Sequence, residues 1–118
     1  MATLTVQNAQ EAGATLTVAP ADNAGDDFVN NGQEFIIVRN ESSSGSKNIS
    51  IAPTVSTIED KQYGDLSKQT VVKAVAGGET AVIGPFKPDG FNDTNQKVSI
   101  TYPNGVTNIT VSVVRFVY

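Results

Sequence analysis

The chain has 118 residues, enough for one domain, and a net charge of −4 from eight basic and twelve acidic residues. It contains neither cysteine nor histidine, which excludes disulfides, thiolate metal sites and histidine-based catalytic triads. The basic residues are scattered, so no positive patch for nucleic acid is visible, and no apolar run approaches the roughly twenty residues that span a bilayer. We therefore expect a protein that is not an enzyme and contacts neither nucleic acid nor membrane. No secretory signal opens the chain, which predicts synthesis in the cytoplasm.

The first twenty residues predict two strands of similar sequence. Residues 2–7 and 14–19 alternate apolar and polar side chains, which places Leu4, Val6, Leu16 and Val18 on one buried face. Residues 1–12 are a candidate N-terminal arm. A polar loop is predicted over 20–27.

The middle of the chain predicts a hairpin followed by an excursion. A turn at 30–32 leads into a strand over 34–39, whose consecutive apolar residues are typical of a central strand covered on both faces. A serine-rich connection leads to a second strand over 48–52, and we expect the two to pair as a long-looped hairpin. Residues 53–68 show no clean period and predict an excursion with one helical turn.

The C-terminal part predicts strands separated by short turns. A tight turn at Gly77–Gly78 joins strands over 69–75 and 79–83, and a second turn is predicted at 88–90. Further strands are expected over 98–102 and from Ile109, where alternation slips at Val113–Val114. That slip indicates either a β-bulge or burial on both faces. About eight or nine short strands predict one all-β domain over 1–118, an antiparallel β-sandwich of jelly-roll type.

Two binding chemistries compete with purely structural interpretations. Oxygen ligands in the polar loop would let Asp22, Asp26 and Asp27 bind calcium, although their spacing does not match the twelve-residue calcium loop. Aromatic residues near turns would provide a sugar-binding platform, although capping the sandwich ends is the simpler role; these are Tyr63, Phe86 and Phe91. A surface turn is the favoured interpretation of the acidic loop, and we expect no cofactor.

Three segments resemble a known family when they are taken in order. They cover 31–40 (NGQEFIIVRN), 76–86 (AGGETAVIGPF), and 98–102 with 106–111 (VSITY and VTNITV). Together they are similar to small proteins encoded among the head genes of tailed bacteriophages, some of which decorate or cement the capsid. The resemblance covers residues 28–118, and the Gly-Pro-Phe element is its most specific part.

The resemblance implies a structural protein of the virion that binds the capsid exterior and stabilises the head. Its implied partners are the major capsid protein and further copies of itself, with a trimer expected. Segments not needed to explain the core are the candidate interface: Ala2, Thr3, Leu4, Thr5, Val6, Glu59, Asp60, Lys61, Tyr63 and Leu66. The alternatives are a glycan-binding or adhesin-like tail or fibre module, and a self-associating subunit without affinity for capsids.

Overall fold

A computed structural model describes residues 2–9, 16–54, 57–60, 64–67 and 70–116. Within these residues the chain forms twelve strands and one single-turn helix. The elements are β1 (Ala2–Thr3), β2 (Val6–Ala9), β3 (Ala19–Pro20), β4 (Asp26–Val29), β5 (Glu34–Asn40), β6 (Ser46–Ile51), β7 (Thr57–Asp60), β8 (Gly64–Ser67), β9 (Val71–Ala76), β10 (Thr80–Ile83), α1 (Pro88–Phe91), β11 (Lys97–Ile100) and β12 (Ile109–Phe116).

The strands form two layers. The first sheet has the order β10–β5–β12–β2, and β3 pairs with the part of β12 that β2 leaves open. The second sheet begins as β1–β4–β11 and continues into the pair β6–β9. The two parts of the second sheet are joined by reciprocal backbone hydrogen bonds between Ser50 and Thr101, 2.8 and 2.9 Å long.

The antiparallel pairs are nested along the chain. The innermost pair is β6 with β9, and outward from it β5 pairs with β10, β4 with β11, and β3 with β12. Successive pairs lie alternately in the second and the first sheet. The chain therefore wraps as one long, folded hairpin, and its two ends meet at the β3–β12 pair.

One hydrophobic core lies between the layers. Strands of both sheets contribute to it, because alternation directs every second side chain inward. It contains Leu4, Ala21, Phe28, Ile36, Val38, Ile49, Ile51, Val75, Ala81, Ile83, Phe86, Phe91, Val98, Ile100, Tyr102, Ile109, Val111 and Val113. The predicted all-β sandwich is thus confirmed.

Several local predictions are also confirmed. The turn before β5 and the Gly77–Gly78 turn between β9 and β10 stand where the sequence places them. The slip at Val113–Val114 is burial on both faces, because β12 pairs with β5 in unbroken register and both valines are buried. No bulge interrupts this pair.

Strand pairing in the middle of the chain differs from the prediction. The strand over 48–52 does not form a hairpin with the strand over 34–39, because β5 lies between β10 and β12 while β6 pairs with β9 in the other sheet. Alternation determines which face a residue occupies but not which strand lies beside it. The outer face of β5 is only partly covered, with Phe35 and Ile37 half-buried and Arg39 exposed.

The predicted polar loop over 20–27 is shorter than expected. Its last two residues begin β4, since Asp26 and Asp27 pair with Ile100 and Ser99. The acidic residues hide this strand in the sequence because aspartate has low strand propensity. The loop proper therefore ends at Gly25, which has a positive φ of 99°.

The two similar N-terminal segments have different structures. Leu4 is buried and Val6 packs against the core, whereas Leu16 and Val18 are exposed. The first segment divides into β1 and β2, which belong to different sheets. Of the second segment, Ala19 alone enters β3, and residues 14 and 15 lie outside the described residues.

The excursion over 53–68 contains a hairpin where a helical turn was expected. β7 pairs antiparallel with β8, from Thr57 opposite Ser67 to Asp60 opposite Gly64. The helical turn of this structure is α1, at the position predicted as a turn over 88–90. Proline at the first helical position suits this helix, because proline lacks only an N–H group that would have no partner there.

Candidate interaction surfaces

The acidic loop is organised around a buried tyrosine. The Asp26 carboxylate is fully buried, and its Oδ2 accepts hydrogen bonds from the Tyr102 hydroxyl at 2.5 Å and the Asp22 N–H at 3.2 Å. Burial and the neighbouring Asp26 carboxylate raise the pKa of Tyr102 well above its ordinary value. Asp26 therefore anchors the loop and the turn after β11.

The three predicted calcium ligands have separate internal partners. Asp27 accepts a hydrogen bond from the Thr3 hydroxyl at 2.6 Å, and Asp22 accepts one from the Ala24 N–H at 2.9 Å. Within the described part of the chain, no group of three acidic, histidine or cysteine residues is arranged to hold a metal ion. Asp22 belongs to the loop, whereas Asp26 and Asp27 belong to β4.

Two of the three aromatic residues proposed as a sugar platform, Phe86 and Phe91, are buried. Phe86 packs between Phe28 and Phe91, with ring centroids 5.9 and 5.5 Å apart. Phe86 and Phe91 close one end of the core and present no ring to a sugar. The third member, Tyr63, lies outside the described residues.

The motif residues that carry the family resemblance have structural roles. The buried Asn40 side chain donates to the Val75 carbonyl at 2.9 Å and accepts from the Ser42 N–H at 3.0 Å, which ties β5 to β9. A Cβ atom on Gly77 would lie 2.8 Å from backbone atoms of Ser42 and Ser44, so only glycine fits there. These motifs specify a fold, and their presence by itself names no binding surface.

Two further buried polar residues connect the ends of the strands. The Asn30 amide donates to the Phe86 carbonyl at 3.0 Å and to Asn92 Oδ1 at 2.8 Å. The buried Glu34 carboxylate accepts from Arg115 Nε at 2.7 Å, which links β5 to β12. Sequence reasoning missed this ion pair, since the two residues lie far apart along the chain.

The candidate N-terminal interface forms a strap across one side of the sandwich. We define the strap as residues 2–9: β1 pairs parallel with β4 in the second sheet, and β2 pairs parallel with β12 in the first. The strap is docked on its own chain, with Leu4 buried and Ala2, Thr3 and Thr5 exposed. Beside it lies a cavity of about 440 Å³, lined by strap residues and by β3.

The second candidate interface is the β7–β8 hairpin, which carries Glu59, Asp60 and Leu66. The structure does not bring it to the strap: the hairpin leaves the second sheet between β6 and β9. Next to its base, the Thr54 N–H donates to the Gly90 carbonyl at 2.9 Å. Lys61 and Tyr63 lie outside the described residues.

The apolar residues on the outer faces of the two sheets are distributed differently. On the first sheet, Val82, Ile37 and Ser112 form one row across three strands, and Phe35 with Val114 forms the next. Val82 is 65% exposed, Ile37 and Phe35 are half-buried, and Ser112 and Val114 on β12 are buried. On the second sheet the exposed valines Val29 and Val72 lie apart, on β4 and β9. The outward positions of β6 and β11, which lie between those strands, are mostly hydroxyl and amide side chains; they are Ser46, Asn48, Ser50, Lys97 and Ser99.

The sequence does not reveal this apolar outer face, because its consecutive apolar residues predict a strand that is covered on both faces. Phe35 to Val38 are four consecutive apolar residues, so the sequence shows no alternation there. Only the pairing of β5 with β12 shows that Phe35 and Ile37 point outward. The adjacent side chains of Val82 on β10 and Ile37 and Phe35 on β5 are a better candidate surface than either segment predicted from the sequence.

Comparison of the chain with models of protein families, with curated proteins and with solved structures gave no match. In the described residues, no helix has the length and apolar character needed to cross a membrane.

Proposed function

We propose that this chain is a non-enzymatic structural protein of a tailed bacteriophage, which binds the outside of the capsid and stabilises the head. The observation that carries the proposal is the apolar outer face of the first sheet, with Val82 exposed beside the half-buried Ile37 and Phe35. Adjacent apolar side chains that remain at least partly exposed on one face are typical of a protein-binding surface. The family resemblance names the capsid as the surface bound.

The nested pairing supports the jelly-roll topology that the sequence predicts. Counted from β3 to β12, the eight main strands pair first with last, second with seventh, third with sixth and fourth with fifth. A wrapped hairpin that forms two four-stranded sheets is characteristic of jelly rolls, an architecture found in viral capsid domains. Because folds host many functions, this topology agrees with the proposal without deciding it.

The proposed partners are the major capsid protein and further copies of this chain. A trimer at a local three-fold position follows from the resemblance, with the strap and the β7–β8 hairpin as additional contact segments. Many copies on one shell allow each contact to be weak, since avidity multiplies the effect of small interfaces. The protein would then reside on the exterior of the virion after synthesis in the host cytoplasm.

The test is the thermal rupture of heads that lack this protein. Adding the purified protein back is expected to raise the temperature at which DNA is released, because contacts bridging neighbouring subunits resist expansion. Rupture can be followed with a DNA-binding dye during heating. An unchanged rupture temperature at saturating protein would overturn the proposal.

A matched pair of substitutions tests which face makes the contact. Ile37→Ser alters the apolar outer face of the first sheet, whereas Val72→Ser alters an exposed valine on the second. Ile37→Ser is expected to reduce the protection of heads and Val72→Ser to leave it intact. Equal loss in both variants would show that the outer face of the first sheet has no special role.

A further inference from the structure

The lateral edge of β10 carries backbone groups that have no partner among the described residues. The Asn40 N–H donates to the Glu79 carbonyl at 3.0 Å, which sets the phase of hydrogen bonding between β5 and β10. Because bonded and non-bonded positions alternate in an antiparallel pair, Ala81 bonds to β5 while Thr80 and Val82 direct their N–H and C=O groups away from it. No described residue forms a backbone hydrogen bond with these N–H and C=O groups of Thr80 and Val82.

The edges of β4 and β12 are covered by other strands, and the edge strand β9 carries a charge. On the opposite side of the sandwich, β1 covers the edge of β4, and β2 with β3 covers that of β12. The edge strand β9 carries Lys73 on its inward side, between Val71 and Val75. An inward-pointing charge on an edge strand discourages further pairing. By contrast, β10 consists of Thr80, Ala81, Val82 and Ile83 and carries no charge.

A groove of about 300 Å³ lies between the edge of β9 and the edge of β10. It is lined by β9 and β10 and contains the opposite charges of Lys73 and Glu79. A strand added to β10 would therefore meet polar and charged groups on its inward side. On its outward side it would meet Val82, next to Ile37.

We propose that the edge of β10 accepts an extended strand of the capsid protein by β-augmentation, a contact that rests on the function proposed above. Unpaired N–H and C=O groups at strand spacing are complementary to an extended backbone. The surroundings select a strand with apolar residues on one side and polar residues on the other. A second copy of β10 fits less well, since its inward Ala81 and Ile83 would face Lys73 and Glu79.

The experiment measures binding to heads that lack this protein, by co-sedimentation of wild type and variants. Val82→Pro removes a backbone N–H that points away from β5 and forms no hydrogen bond with it. We therefore expect the variant to keep its fold and to lose the added strand. Binding is expected to weaken by at least about tenfold, the effect of losing about 1.4 kcal/mol. The matched control is Val72→Pro, which removes a backbone N–H of β9 that points away from β6. This variant is expected to bind like wild type.

The outcomes separate this inference from the proposed function. Retained binding by Val82→Pro, with wild type also bound, would overturn the edge contact and leave the capsid function standing. Failure of wild type to bind heads would overturn both. Concentration-dependent dimers in sedimentation equilibrium that Val82→Pro abolishes would assign the edge to a second copy and also overturn the inference. Circular dichroism and thermal unfolding of each variant establish that it is folded.

Discussion

At the scale of single residues, buried polar side chains hold the loops of this protein to its strands. Asn30, Asn40 and Glu34 are almost completely buried, and each makes hydrogen bonds to another segment of the chain. Such groups are costly to bury unless they are paired, so they stabilise one arrangement of loops over others. The hydrogen bond between Tyr102 and Asp26 follows the same principle, and its contribution to the free energy of unfolding depends on pH.

Replacing Tyr102 with Phe removes the hydroxyl that donates to the buried Asp26 carboxylate. We expect a loss of about 1–3 kcal/mol in the free energy of unfolding at pH 7, measured by urea denaturation. Folding raises the pKa of Tyr102, so above about pH 10 the unfolded chain releases a proton that the folded chain retains. The Tyr102 contribution is therefore complete below pH 10 and falls by about 1.4 kcal/mol per unit above it.

The Phe variant lacks this titration, so the stability difference between the two proteins is expected to shrink as pH rises from 8 to 11. The comparison cancels the titration of lysines and of the other tyrosines, which both proteins share. A difference that stays constant across this range would show that Tyr102 is not protected from ionisation in the folded state.

At the scale of elements, the two similar N-terminal segments show how one sequence pattern takes two structures. Leu4 in the strap is 8% exposed, whereas Leu16, at the same place in the similar segment, is 44% exposed. The strap closes the edges of β4 and β12, which would otherwise be open to pairing. Its structural role in the isolated chain is therefore compatible with, and separate from, a role in contacts between proteins.

The matched pair Leu4→Ala and Leu16→Ala tests this assignment. Leu4→Ala is expected to cost about 2 kcal/mol, because it removes apolar area from the core under the strap. Leu16→Ala is expected to change the free energy of unfolding by less than about 0.5 kcal/mol. Urea denaturation measures both values. Similar costs for the two variants would contradict the burial difference between the two segments.

At the scale of the whole molecule, the nested pairing makes most stabilising contacts long-range. The β3–β12 pair joins the two ends of the wrapped hairpin, whereas β6 and β9 are separated only by the β7–β8 excursion. Closing a long loop costs more entropy than closing a short one. We therefore expect refolding in milliseconds to seconds, as for other proteins dominated by non-local strand pairs.

The order of pairing is testable by comparing Ile49→Val in β6 with Val111→Ala in β12. Both side chains are fully buried, so both variants are expected to lose measurable stability. Ile49→Val is expected to slow refolding by a larger fraction of its stability loss, because the inner pair forms before the chain ends meet. Stopped-flow chevron plots give both fractions. A larger fraction for Val111→Ala would mean that the chain ends pair first.

The sequence alone determined the fold class and the positions of most strands. Period-two alternation over 98–102 and from Ile109 leaves little choice of structure, since it divides side chains between a buried and an exposed face. The turns at 30–32 and Gly77–Gly78 are equally local, because Asn and Gly occupy backbone conformations that other residues rarely adopt. These strands and turns were therefore predicted correctly, whereas β4, the β7–β8 hairpin and α1 were not recognised from their local sequence.

Only the tertiary structure decided which strands pair and which apolar residues remain at the surface. Identical alternation in 2–6 and 14–18 gave one buried and one exposed leucine, because burial depends on what the rest of the chain places above each segment. In the same way, β5 could be predicted as central, but the outward direction of Phe35 and Ile37 follows from its register with β12. Pairing across long loops depends on contacts between distant residues, which no local pattern records.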